Sequence, residues 1–127
     1  ANWLLSAADG EEIGGCCISA TLRDYGRLGL FALANGRLKD GTAILPEGWM
    51  GESVAASKGS KGYGYYWWLQ EKGAYAAEGV FGQFIWVDPK RNVVIAMQSA
   101  WPSAWEDAYE VEVIELFQDM AAWLDAH

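Results

Sequence analysis

"YAAEGVFGQFIWVDPKRNVVIAM", residues 75–97, decides how this chain folds. Two runs rich in β-branched and aromatic residues, 83–88 and 93–97, flank Asp88-Pro89-Lys90-Arg91-Asn92, whose residue types turn a chain. The pattern predicts an antiparallel pair, with the near-continuous apolar run "VVIAMQSA" as a central strand. A third strand, "GAYAAEG", precedes it across a glycine-bounded break. Glycine weakens a strand unless backbone has to come close to something. Gly79 and Gly82 therefore mark either a packing contact or a place where a small molecule meets the backbone.

Outward from this segment, "SATLRDYGRLGLFALANG" predicts a helix over about residues 21–35. Thr21 and Asp24 form a capping-box-like start, and Asn35-Gly36 supplies a left-handed stop. Leu22, Tyr25, Gly29, Ala32 and Leu33 recur at helical spacing. A short helix is expected to open at Pro46, with Glu47 in its first turn. "YGYYWWLQ" reads as a further strand. Residues 1–18 read as two extended pieces joined at Asp9-Gly10, the second ending at Gly14-Gly15. A last helix over about 106–125 should turn Tyr109, Val113, Leu116, Phe117, Met120 and Leu124 to the sheet. The fold class is thus α+β, an antiparallel sheet flanked by helices, within a single domain of 127 residues.

Composition narrows the function. Seventeen acids against nine bases give a formal charge of −8, and the one local basic cluster is Lys58 with Lys61. Binding of nucleic acid or of an anionic membrane needs a basic face, so neither partner is expected. No apolar run reaches the roughly 18 residues of a membrane span. Cys16 and Cys17 are adjacent and give no disulfide framework; two buried small hydrophobes in a reducing, cytoplasm-like compartment is the expectation. The single histidine is the terminal His127, which removes His-based triads and His-containing metal sites, so no metal and no cofactor are expected. No serine is followed three residues later by lysine, and no tyrosine is followed two residues later by asparagine. "GYGYYWWL" allows a different reading, an aromatic-rich binding module for a sugar or peptide without catalysis. Backbone amides beside Gly79 and Gly82 allow another, donation to a developing oxyanion, which needs no particular side chain.

Three stretches in order carry a resemblance: "IGGCCISATLRDYGRLGLFALANGRLKDGTAILPEGW", "GYGYYWW" and "GVFGQFIWVDPKRNVVIAM". Together they resemble the C-terminal part of β-lactamase-related serine hydrolases, the class C-like esterases and amidases that include 6-aminohexanoate-oligomer hydrolases. The likeness runs from about residue 2 to about residue 125. It implies the β-lactamase/transpeptidase-like α/β domain, with this chain giving late strands of the sheet and the closing helix. In that family a serine of Ser-x-x-Lys attacks an ester or amide carbonyl, lysine and tyrosine move protons, and a strand bearing a third motif lends an oxyanion N–H. Residue by residue, the third element falls on Glu78-Gly79-Val80-Phe81-Gly82-Gln83. Val80 is then the backbone donor, Gly79 allows close approach, and Glu78, Phe81, Gly82 and Gln83 shape or brace a substrate pocket. Lys-Thr-Gly itself is absent, which favours a small ester or amide over a β-lactam.

The resemblance also implies that Ser-x-x-Lys and Tyr-x-Asn lie upstream of the matched part. The chain is then expected to be a C-terminal portion whose partner is the N-terminal remainder of the same enzyme. Alone it would lack a nucleophile and be inactive, with unpaired sheet edges and uncovered aromatics.

Overall fold

The computed structural model describes residues 1–14 and 16–127. At its centre is an antiparallel sheet of order β3-β4-β5-β6: β3 (Trp68–Leu69), β4 (Tyr75–Gly79), β5 (Gln83–Asp88) and β6 (Val93–Met97). The pairing places Gly79 opposite Gln83 and Asp88 opposite Val93. Because side chains alternate across a strand, β5 sends Phe84 and Trp86 to one face and Ile85 and Val87 to the other. Each face is closed by a helix. The first packs Ala74, Ala76, Phe84 and Trp86 against Phe117 and Ala121 of α3 (Asp107–Asp125). The second packs Tyr75, Ile85 and Val87 against Ala32 of α1 (Leu22–Leu33) and Met50 of α2 (Trp49–Ser53).

Helix α1 starts and stops where local chemistry directs. Thr21 Oγ1 accepts from the Asp24 N–H at 3.3 Å and donates to Asp24 Oδ2 at 2.8 Å. At the far end Asn35 and Gly36 take φ of 55° and 73°, and the Gly36 N–H donates to Phe31 O at 2.9 Å. Gly29 lets this helix lie close on the sheet, since a Cβ there would stand 2.5 Å from Val94 Cγ1 and 2.9 Å from Ile85 Cγ2. Gly29→Leu is therefore expected to overpack the interface and lower stability by about 1–3 kcal/mol, read as a lower urea midpoint.

The β5–β6 turn is held by one carboxylate. Asp88 Oδ1 accepts from the N–H groups of Lys90 (2.9 Å) and Arg91 (3.1 Å), while Oδ2 accepts from Arg91 Nη1 at 2.9 Å. Arg91 Nε also donates to Asp125 Oδ2 at 2.6 Å, tying the turn to the end of α3.

Several expectations need correction. The strand β6 is not central: it ends the sheet, and all five of its residues are only half-buried. Helix α3 faces the sheet with Glu110, Val113, Ile114, Phe117 and Ala121, whereas Tyr109, Leu116, Met120 and Leu124 are exposed. The small Ala121 permits close packing there, so the sheet takes the stripe next to the more apolar one. Helix α2 begins at Trp49, not Pro46, because Gly48 at φ 82° is left-handed and caps it. Of "YGYYWWLQ" only Trp68–Leu69 is strand, since Tyr66 at φ 64° breaks the extended run.

The N-terminal pieces pair as β1 (Asn2–Trp3) and β2 (Ile18–Ser19), with Gly15, the expected end of the second piece, outside the described residues. Cys16 and Cys17 are exposed and joined to each other rather than buried. They sit in a connection held by the Trp3 indole N–H, which donates to the carbonyls of Ile13 and Cys16, and the apolar residues around it, Trp3, Leu4, Leu5 and Ile18, are themselves exposed. Among the described residues no helix is long and apolar enough to cross a membrane.

Candidate functional site

Strands β4 and β5 are joined by Val80-Phe81-Gly82. Phe81 (φ 62°) and Gly82 (φ 82°) are both left-handed, which closes the hairpin in three residues. Three contacts fix this loop to the segment between β6 and α3. The Phe81 N–H donates to Ala104 O at 2.9 Å, and the Trp101 N–H donates to Phe81 O at 3.2 Å. Gln83 Nε2 donates to Ser99 O at 2.7 Å and to Phe81 O at 3.2 Å. The Trp101 ring lies where a Cβ on Gly82 would be, so only glycine fits there.

The ladder sets the direction of the loop's first amide. Gln70 N–H donates to Ala74 O at 2.9 Å, and Trp68 pairs with Ala76, so the even-numbered residues of β4 turn their peptide groups toward β3. Beyond Ala76, β3 has no further paired residue. The peptide groups of Glu78 and Val80 thus continue along an edge that β3 does not cover. Among the described residues the Val80 N–H has no hydrogen-bond partner, and its side chain is 59% exposed. Gly79 is half-buried opposite Gln83, and its absent Cβ would stand 3.1 Å from Gln83 Cβ.

Glu78 points to the other face, under α3. Its Oε1 accepts from Gln70 Nε2 at 3.0 Å, while Oε2 is buried without a partner. Burial pushes its carboxyl up to about 7, and the Glu110 carboxylate adds to the shift. Glu110 is itself raised, by burial and then by Asp107. Six residues expected as one wall are therefore split by the sheet. Val80 stands at the open edge with Gly79 beside it, Phe81, Gly82 and Gln83 bind the loop down, and Glu78 faces away.

Two cavities lie elsewhere, with none of residues 79–83 in their walls. One, of about 620 Å³, is lined by Phe31, Trp49, Tyr63, Tyr65, Tyr66 and Trp67 among others, with no charged side chain. The other, of about 410 Å³, lies between Gln70-Glu71 and the first half of α3. Burial pushes the Tyr75 phenol to about 12, so that hydroxyl stays protonated near neutrality and cannot serve as a base. No group of three metal-ligating residues occurs among the described residues.

The sequence missed the partners of Glu78 and the lock on Gly82. Gln70, Glu110 and Trp101 lie outside the motif, and only the tertiary fold brings them in. Gln83 braces the loop itself, through Ser99 O and Phe81 O.

The Beta-lactamase family model matches residues 3–118. The 6-aminohexanoate-dimer hydrolase of Paenarthrobacter ureafaciens is 32% identical over 102 residues, covering 67% of this chain and 25% of that protein. The chain thus spans about a quarter of the length of this curated relative. With its antiparallel sheet between helices and this match over most of its length, the chain belongs to the beta-lactamase family, near the branch of the 6-aminohexanoate-dimer hydrolase.

Proposed function

We propose that this chain is the C-terminal portion of the catalytic domain of a serine hydrolase that cleaves carboxylic esters or amides through an acyl-enzyme. The observation that carries the reading is the unpartnered Val80 N–H, held at an uncovered strand edge on a loop that three hydrogen bonds pin to residues 99–104. A rigid amide already stripped of protein partners suits a developing oxyanion, because no reorganisation is needed as charge forms. The second N–H, the nucleophile and the acid–base groups come from upstream polypeptide, since the chain contains no Ser-x-x-Lys.

The fold leaves places for that polypeptide. The apolar strand β6 has no neighbour on its outer side among the described residues. Tyr109, Leu116, Met120 and Trp123 line one flank of α3, on the side away from the cavity at Gln70 and Glu71 and hence toward β6. A further strand on β6, with a helix over that flank, would cover both.

In the test, a chromogenic short-chain ester is offered to this chain alone and to the chain supplied with its upstream polypeptide. Turnover is expected only from the second. Turnover from the chain alone, or none from the reconstituted protein when the native enzyme works, counts against the proposal. The aromatic cavity supports a second reading, a non-catalytic binding module. Its uncharged walls suit an apolar ligand better than a sugar, and saturable quenching of tryptophan fluorescence without hydrolysis would favour it.

A further inference from the structure

Glu78 is half-buried with one oxygen fully enclosed, and the hydrolase reading gives its carboxylate no work. Its two oxygens are treated unequally: Oε1 accepts an amide proton from Gln70, and Oε2 is enclosed with nothing to bond. A buried carboxylate oxygen with no donor is costly, whereas a carboxylic acid at the same place can itself donate. The acceptor within hydrogen-bond reach of such a donor is Glu110 in the first turn of α3, which lines the neighbouring cavity with Gln70. The other charged residues of that cavity are Glu71 and Glu115, with Asp107 acting on Glu110 from within the helix. On its own sheet face Glu78 stands opposite Phe84. No cation lines the cavity, so nothing there offsets two negative charges.

We propose that Glu78 and Glu110 share a single proton, and that this carboxylic acid–carboxylate bond fastens the end of β4 to the first turn of α3. The bond is a pH-sensitive clamp. Burial is the first cause that keeps the proton on Glu78, and the Glu110 charge adds to it, while the hydrogen bond from Glu78 acts on Glu110 in the opposite sense, as an acid donating to a carboxylate does. Folding then carries a proton that the unfolded chain gives up in the ordinary carboxylate range. The stabilisation is full at acid pH, declines as pH rises through about 7, and is absent above it. Because Glu78 directly precedes Gly79 and Val80, the clamp also steadies the strand end that presents the open amide. That consequence rests on the hydrolase reading; the clamp does not.

Two measurements on the full protein decide it, and neither needs turnover. Infrared difference spectra between about pH 5.5 and about pH 8.5 are expected to show a carboxylic acid C=O band that disappears at the higher pH and is missing in Glu78→Gln. The melting temperature of the native protein should fall across the same window relative to that of Glu78→Gln, whose amide keeps the hydrogen bonds but cannot ionise. Glu110→Gln removes the neighbouring charge from the less buried partner and should move the loss of the band to lower pH. A band that survives Glu78→Gln, equal pH slopes for native and variant, or an unmoved midpoint in Glu110→Gln would each overturn the clamp. The last test stands even if Glu78→Gln fails to fold.

Discussion

Replacing Val80 with proline is expected to cut kcat for ester hydrolysis by about 10²–10³-fold in the reconstituted enzyme, with little change in KM. Proline removes the one N–H that the loop leaves unpartnered and touches no other hydrogen bond described for it. The site tolerates the ring: Val80 is not among the positive-φ residues, its side chain is exposed, and the preceding Gly79 is in extended strand backbone, which proline requires of its neighbour. Val80→Ala keeps the amide and should retain near-native turnover. Equal losses in the two variants would mean that the side chain, not the N–H, matters there, and the proposed oxyanion role would fall. Circular dichroism melts of both variants separate this effect from unfolding.

The largest effect on stability is expected at Asp88. Its side chain is 3% exposed and makes three contacts at once, two with backbone amides of the β5–β6 turn and one with Arg91. Asp88→Ala leaves those amides without an acceptor and leaves the Arg91 guanidinium, at 22% exposure, with Asp125 alone. The two turn amides lose their acceptor and the pair with Arg91 is broken at its buried end, and these together set the size of the loss. A loss of about 3 kcal/mol is expected, seen as a lower urea midpoint at unchanged m-value. Asp88→Asn keeps an acceptor for the turn and should lose about 1 kcal/mol. If the two variants melt alike, the ion pair contributes nothing beyond the turn.

What the sequence disclosed follows a physical line. Thr21 with Asp24, Asn35 with Gly36, and the Asp88–Asn92 turn were readable because each acts on backbone within a few residues. The β4–β5 hairpin was readable because Gly79 and Gly82 bracket it. The rotation of α3 was not. Apolar residues occupy two adjacent stripes of that helix, and the choice between them depends on Ala121 fitting close to Trp86 and Phe84. Nor could the sequence show that Tyr66 would adopt a left-handed conformation, shortening β3 to two residues. For the candidate site, the loop carrying Val80 was legible as a motif, but its anchoring was not. Ala104, Trp101 and Ser99 reach it from beyond β6, and Glu110 comes to Glu78 from α3.

The ties between the β4–β5 loop and residues 99–104 bear on how such an enzyme would change its substrate preference. The loop itself has little room to vary, with Gly82 pressed against an indole and Phe81 bonded through both backbone groups. The strap that holds it is looser in chemistry: Ser99 and Ala104 contribute only carbonyls, which any residue supplies. Side-chain replacements there could tilt the loop by fractions of an ångström while leaving every donor and acceptor in place. Randomised libraries aimed at new acyl groups therefore have their most permissive positions at Ser99 and Ala104, outside the loop that would meet the substrate.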